Sequence, residues 1–288
     1  MSGTHQSWRD VVARVPGASV IVRAAEKSNE DHAKDMAASI AFFGFFSLFP
    51  LLLGVVAGAS FFIDRDKIEA HLDRMLAGEF PGSADFLRTN IEALTDLRGA
   101  AGVASVVGLL WSASKMFGAL SRGMNLALGI PKGQPFYVSK LRYFAMTIIV
   151  SLVLFLAVGG SIALDAFTQI DLTRFGLDST VFDSIWSRLT SFAFIFATVL
   201  LLYTIVPYKR SPWRELLPGA LVAALLFELL KALFVLYLDN ARNLEAVYGS
   251  LSSIVVLLLW LYFSARVLLF GVEIIAVRKE EPSTHELV

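Results

Sequence analysis

The sequence predicts an all-α integral membrane protein with six transmembrane helices, and three observations support this fold class. First, 56% of the 288 residues are hydrophobic and 17% are charged, whereas soluble domains contain about 45–50% apolar and ~25% charged residues. Second, six apolar segments are each long enough to cross a bilayer as a helix, which bonds its own backbone groups in lipid. Third, basic residues are distributed unevenly between the loops, as expected of an inserted protein.

The sequence divides into a polar leader at 1–36, a transmembrane domain at 37–276 and a tail at 277–288. Apolar residues of the leader recur at helical spacing, which predicts short amphipathic helices on the inner membrane surface. Basic side chains such as Arg23 and Lys27 would then lie at headgroup level. The alternative is an ordinary solvated leader. The N-terminus lacks the apolar run and cleavage site of a signal peptide, so the first span is expected to direct insertion.

Six spans are predicted, and the charges of their flanks predict their orientation. The spans lie at 37–63, 100–124, 141–165, 186–206, 214–238 and 250–276. On one side of the membrane the flanks carry nine basic residues: Arg122, Lys132, Lys140, Arg142, Lys209, Arg210, Arg214, Arg278 and Lys279. On the other side the later loops carry two, Arg174 and Arg242. Because cytoplasmic loops are enriched in Lys and Arg, both termini are predicted to be cytoplasmic.

The first outer loop, 64–99, is the longest loop and contains five basic and eight acidic residues. Its apolar residues recur at helical spacing in two groups that Pro81 and Gly82 separate. We therefore expect two amphipathic helices that cover the outer face of the bundle.

Small residues and a proline mark one stripe of the first span, which includes Ser47, Pro50, Gly54 and Gly58. Gly54 and Gly58 form a G-x-x-x-G motif, which lets another helix approach closely. Pro50 removes a backbone hydrogen bond and is expected to kink the helix. The stripe predicts either tight packing alone or a hinge beside a cavity. The glycines fit a homo-oligomer contact and an internal contact equally well.

Ionisable residues within the spans are the candidate binding residues. Lys115, Lys231 and Arg266 lie deep in the spans, Glu228 is the only deep acid, and Glu273 lies nearer the inner surface. Glu228 and Lys231 could pair within their helix, at spacing i, i+3, or across helices. Either pairing leaves a positive surplus, and an unpaired charge in lipid is costly.

We hypothesise that this surplus binds an anionic amphiphile, such as a phospholipid. Its headgroup would lie near Lys115 and Arg266, beside Trp111 and Tyr262, with Arg122 extending to the phosphate level. The alternative is that these charges neutralise one another and only specify which helices pack together.

Catalytic motifs are absent from the sequence, so we expect no enzyme, no metal and no cofactor. The four histidines are scattered outside the spans, there is no cysteine, and no carboxylate–histidine cluster suits metal-assisted cleavage. The phosphate-binding G-x-x-x-x-G-K-[ST] and the nucleophile motif G-x-S-x-G are also missing. A membrane-bound hydrolase would need a carboxylate cluster in the 64–99 loop.

Four segments resemble the YihY/BrkB family of bacterial inner-membrane proteins. They are AASIAFFGFFSLFPLLL (37–53), GLLWSASKMFGALSRGMN (108–125), LLYTIVPYKRSPWRELLPGALVAALLFELLKALFVLY (201–237) and YGSLSSIVVLLLWLYFSARVLLFGVEI (248–274). The resemblance implies six helices, cytoplasmic termini and a place in the inner membrane. It also implies a link to resistance to host killing and to outer-envelope lipid assembly. The family carries an old label as a tRNA-processing ribonuclease, ribonuclease BN, which the residues of this chain do not support.

From the residues and the resemblance together, we expect a transporter or flippase-like protein for an anionic lipid or lipid-like solute in the cell envelope. The alternative is a non-transporting scaffold that holds envelope-assembly partners through the leader and the outer loop. The expected partners are membrane lipids, and no nucleic acid is expected.

Overall fold

The computed structural model describes residues 18–59, 100–130, 137–150, 179–240 and 248–280, with Pro135 and Leu152, and these form helices and short connections without any strand. The helices are α1 (Ala18–Glu30), α2 (Ala33–Ala59), α3 (Ala100–Ala127), α4 (137–150), α5 (Ser179–Ile205), α6 (Trp213–Asn240) and α7 (Ser252–Glu280). A 3₁₀ turn, Gly249–Leu251, precedes α7. The all-helical prediction is confirmed for the described part of the chain.

Each predicted span coincides with a helix. The observed helices begin and end within about four residues of the predicted bounds, except that α5 begins at Ser179 and not at 186, and that description stops at residue 59 in α2 and after 150 in α4. The end of α3 has a clear local cause, because Gly129 adopts φ +63° and Ile130 N–H donates to the carbonyl of Asn125, as in a glycine-terminated helix. Residues 1–17, the amphipathic loop 64–99 and the second half of the third span lie outside the described residues.

The helix α7 is the centre of the bundle, and α1, α2, α3 and α6 all pack against it. Two turns near its C-terminus, from Gly271 to Val277, are buried continuously. The helix α5 packs against α6, and the hydroxyl of its Tyr203 donates to the Leu268 carbonyl of α7 at 2.7 Å. The helix α7 is therefore surrounded by protein along its C-terminal half, apart from the exposed residues at its end.

A close backbone approach joins α6 to α7. A Cβ atom added to Gly271 would overlap the Tyr203 hydroxyl and lie 2.8 Å from the carbonyl oxygen of Gly219. Ala220 and Ala223, which follow Gly219 on α6, are also fully buried. Small residues at helix contacts allow the dense packing that holds membrane helices together. The G-x-x-x-G motif predicts such a contact at Gly54 and Gly58, whereas no motif marks Gly219 and Gly271.

The outer face of α6 is apolar. Leu221, Leu225, Leu229 and Leu233 recur every fourth residue and remain 46–54% exposed, while small alanines face inward. Both α6 (Trp213–Asp239) and α7 (Ser252–Glu280) are long and apolar enough to cross a bilayer. A stripe of large leucines on the outside and alanines inside suits lipid, because water would not favour a contiguous apolar face of this kind.

Candidate functional site

A buried carboxylate, that of Glu273, is the most enclosed charged group of the described bundle. Its side chain is 1% exposed, and Lys27 of α1 lies 3.5 Å away, Nζ to Oε2. Neither carboxylate oxygen has a hydrogen-bond partner in the described part of the chain. The ion pair with Lys27 is therefore what compensates the Glu273 charge, since an unpaired buried charge is strongly unfavourable.

Lys27 lies where α1 packs against α7, and 19% of its side chain is exposed. It forms an ion pair and a short hydrogen bond with Asp31 of its own helix. Burial lowers the pKa of Lys27, but the Asp31 hydrogen bond and the charges of Glu273 and Asp31 outweigh burial, so the net pKa is above its ordinary 10.5. Ala24, one turn earlier, packs against Ile274 and Val277. The apolar face of α1 is therefore directed to α7.

Arg266 lies on the same face of α7 as Glu273, two turns earlier and about 10.5 Å along the axis. Its Nη1 atom donates to the Ser28 hydroxyl at 3.4 Å, and Ser28 is buried in α1. Arg266 forms no ion pair with any described residue. The deep arginine of the last span thus has a neutral partner from the leader helix.

Glu228 and Lys231 pair within α6, which is the first of the two pairings that the sequence left open. Lys231 Nζ lies 3.1 Å from Glu228 Oε1. Ser191 of α5 joins them, since it accepts from Lys231 at 3.1 Å and donates to Glu228 at 3.4 Å. The deep acid of the spans is therefore neutralised by its own helix and is tied to α5.

The basic face of α3 is exposed. Lys115 and Arg122 are both exposed, and Trp111 is 54% exposed with the ammonium of Lys140 4.1 Å from its ring centroid. Lys115 makes no ion pair with the described residues. Asn125, three residues after Arg122 on the same helix, is buried, so the exposed basic face ends near the last turn of α3.

The predicted binding residues fall into separate groups. Arg266 is directed to α1, whereas Tyr262, four residues earlier, packs against the buried apolar core of the bundle. No contact in the described residues joins either of them to Lys115. The structure brings Glu228 together with Lys231, and Arg266 together with the leader.

The predicted packing residues of the first span are partly described. Ser47 is buried, donates to the Gly44 carbonyl at 2.9 Å and contacts Met116 Sδ at 3.1 Å, which fits the predicted role in packing α2 against α3. The helix α2 continues through Pro50 to Ala59. The side-chain surroundings of Pro50, Gly54 and Gly58 lie outside the described residues.

A polar network that sequence reasoning largely missed holds the end of α5. Arg142 of α4 donates through Nη2 to the carbonyls of Ile205, at 2.8 Å, and Pro207. Asn125, near the end of α3, accepts from the Tyr208 N–H at 2.8 Å. Helix ends leave carbonyls without partners, so a cation beside the last turn satisfies them and interacts favourably with the helix dipole.

The network also joins the ends of several helices on one side of the bundle. Ser121 of α3 donates to the Val206 carbonyl at 3.3 Å. Lys279, at the end of α7, pairs with Glu215 at the start of α6, at 2.8 Å, and Arg23 of α1 lies 3.7 Å from Glu280. The basic segments that flank the spans therefore meet at one end of the bundle.

The chain is similar to one known family. Residues 24–287 match the family described as virulence factor BrkB. A membrane protein of Alkalilimnicola ehrlichii, named UPF0761, is 31% identical over 86% of this chain, which spans only 56% of that relative's length.

Two further relatives match along most of their length. A protein of Aeromonas salmonicida with the same name, UPF0761 membrane protein, is 30% identical over 86% of this chain and 85% of its own. A Bacillus subtilis protein, YfkH, whose name calls it ribonuclease-like, is 27% identical over 85% of this chain and 90% of its own. No solved structure matches.

Proposed function

The chain belongs to the BrkB family of membrane proteins, and from the charges of its helices we propose that it is a transporter or flippase-like protein for an anionic lipid or lipid-like solute. The proposal includes six crossings of the bacterial inner membrane with both termini cytoplasmic. The meeting of the basic flanks at one end of the bundle supports this topology, because positive residues collect on the cytoplasmic side.

The single observation that supports the function most is that Arg266 has no acidic partner among the described residues. The two acids predicted within the later spans have lysine partners, since Glu228 pairs with Lys231 and Glu273 with Lys27. Arg266 has a serine hydroxyl instead. The leader segment brings Lys27 and Asp31 against Glu273 but offers Arg266 only a neutral hydroxyl, so the positive surplus that the sequence predicts remains at Arg266.

An anion is the natural partner for this surplus. A guanidinium presents a planar fork of donors that fits a phosphate or carboxylate, and such bonds are stronger at low dielectric. Lys115, Arg122 and Trp111 on the exposed face of α3 would meet the headgroup on its way through the membrane. Membrane lipids supply anionic groups of this kind from the surrounding bilayer, so no soluble carrier is required.

The proposal is tested in proteoliposomes that contain a fluorescent anionic phospholipid, with dithionite reduction as the readout of movement between leaflets. The wild-type chain should accelerate movement relative to protein-free liposomes, with or without an imposed pH gradient. Arg266→Gln should slow it by about tenfold or more, the effect of losing one charged hydrogen bond. Arg278→Gln, which removes an exposed arginine from the end of the same helix, is the matched control and should leave the rate unchanged.

A wild-type rate equal to that of protein-free liposomes would reject the transport proposal and favour the scaffold alternative. One observation speaks against a scaffold that docks partners through the leader: Val20 and Ala24 on the apolar face of α1 already pack against α7.

The proposal does not include catalysis or binding of nucleic acid. The name of the Bacillus relative is ribonuclease-like, yet metal-assisted cleavage requires clustered carboxylates or histidines. In the described residues no group of three or more such side chains could hold a metal ion. Whether copies of the chain associate through Gly54 and Gly58 stays a prediction.

A further inference from the structure

A groove with one basic and one apolar end lies between α4 and the end of α5. Its volume is about 500 Å³, and it extends to Tyr208 and Arg210 in the segment after α5. Sites for small molecules commonly occupy about 300–1,000 Å³. The groove is distinct from the residues proposed above for transport.

The basic end of the groove contains two guanidinium groups. Arg210 is exposed, and the Arg142 guanidinium carbon lies 5.4 Å from the centre of the Tyr208 ring. In the described residues the hydrogen bonds of Arg142 use Nη2 alone, so Nε and Nη1 keep their donors for a ligand. None of the lining residues is acidic.

The apolar end offers hydrocarbon and no donor. Ala145, Met146, Ile149 and Ile205 form its walls. Thr204 is the polar exception, and its hydroxyl donates to the Leu200 carbonyl of its own helix at 2.8 Å. A ligand that fills the whole groove therefore needs an anionic group at one end and a chain of methylenes at the other.

We propose that this groove binds one anionic phospholipid from the leaflet at the basic end of the bundle. The phosphodiester lies between Arg142 and Arg210, and the first part of an acyl chain lies along α4 toward Ile149. Charge complementarity selects the headgroup, and the apolar walls distinguish a lipid from a free phosphate. The site rests on the proposed function only in one respect: a transporter of anionic lipid would move the lipid bound here or one next to it.

Binding is measured on the detergent-purified full chain with dioctanoyl phosphatidylglycerol, dioctanoyl phosphatidylcholine and glycerol 3-phosphate. Phosphatidylglycerol should bind most tightly. Arg210→Gln should weaken its binding by about fivefold, since an exposed ion pair contributes up to ~1 kcal/mol, whereas the neighbouring, exposed Lys209→Gln should not. Arg142 is left intact because its loss would also free the carbonyls at the end of α5.

A second pair of variants tests the apolar end. Ala145→Trp places an indole in the groove at an exposed position, and Ile148→Trp adds the same ring at an exposed position of α4 outside it. Only Ala145→Trp should block phosphatidylglycerol binding.

Three results would overturn the site: equal binding of the two lipids, equal effects of the two tryptophans, or displacement of the lipid by equimolar glycerol 3-phosphate. Lipid binding that depends on Arg210 without any transport by the wild type would retain the site and reject only the proposed function. Transport with unchanged binding in every variant would reject the site alone.

Discussion

Removing the ammonium group of Lys27 should destabilise the bundle far more than removing that of Lys279. The Lys27–Glu273 pair has side chains that are 19% and 1% exposed, whereas the Lys279–Glu215 pair is 36% and 43% exposed. Breaking a buried pair from one side costs about 3–5 kcal/mol because the other charge is left without compensation. An exposed pair contributes only about 0–1 kcal/mol.

The assay is thermal unfolding in detergent, followed by circular dichroism. A loss of ~3 kcal/mol at about 2–4 °C per kcal/mol lowers the melting temperature of Lys27→Met by roughly 6 °C or more. Lys279→Met should shift it by less than about 3 °C. The double variant Lys27→Met with Glu273→Gln should recover most of the loss, because the buried carboxylate is neutral and Asp31, whose side chain is 22% exposed, can be solvated. Equal shifts for the two single variants, or no recovery in the double variant, would refute the assignment of Lys27 as the compensating charge.

Three further outcomes follow from the described contacts. Gly271→Ala should cost at least about 2 kcal/mol and reduce the yield of folded protein, because its Cβ would overlap the Tyr203 hydroxyl. Gly44→Ala is the control and should be tolerated, because its Cβ would meet its nearest neighbour at 3.9 Å. Equal yields of the two variants would contradict the close approach of α6 and α7. Arg142→Ala should cost about 1–3 kcal/mol by leaving two carbonyls without a donor, and a melting temperature equal to that of the wild type would show that they find other partners. The raised pKa of Lys27 adds stability that is complete below about pH 10.5 and is lost as pH rises through the higher folded pKa, so a pH series of melting temperatures should fall at its alkaline end in the wild type and less in Lys27→Met.

The helices themselves could be predicted from the sequence because a membrane span depends on local composition. Each apolar run needs only its own length and hydrophobicity to form a helix in lipid. The Glu228–Lys231 pair belongs to the same class, since both residues lie on one helix at i, i+3. Its bond to Ser191 of the neighbouring helix could not be read from that spacing.

The contacts between helices could not be predicted because their partners are far apart in the chain. Gly219 and Gly271 carry no G-x-x-x-G signal, since each contributes one glycine to the approach between α6 and α7. The sequence around Glu273 indicates that its partner lies on another helix, because no basic residue lies three or four positions before it on its own helix. A deep acid without a local partner indicates a partner from elsewhere, which here is Lys27 of the leader.

The amphipathic pattern of α1 indicated an apolar face but not what covers it. A membrane surface and the side of α7 both accept such a face. Ala24 and Ser28 are small and buried, which favours protein as the covering surface, because small residues permit close helix contact. The same consideration explains why Arg266 bonds Ser28, a contact across more than two hundred residues of sequence.

The central claim, that uncompensated positive charge in the bundle recruits an anionic lipid, is tested most directly by headgroup selectivity. Two labelled phospholipids with identical acyl chains, phosphatidylglycerol and phosphatidylcholine, are reconstituted separately with the wild-type chain, and the initial rates of movement between leaflets are compared. The account predicts that phosphatidylglycerol moves several times faster and that the difference shrinks in Arg266→Gln. Equal rates for the two headgroups would contradict it.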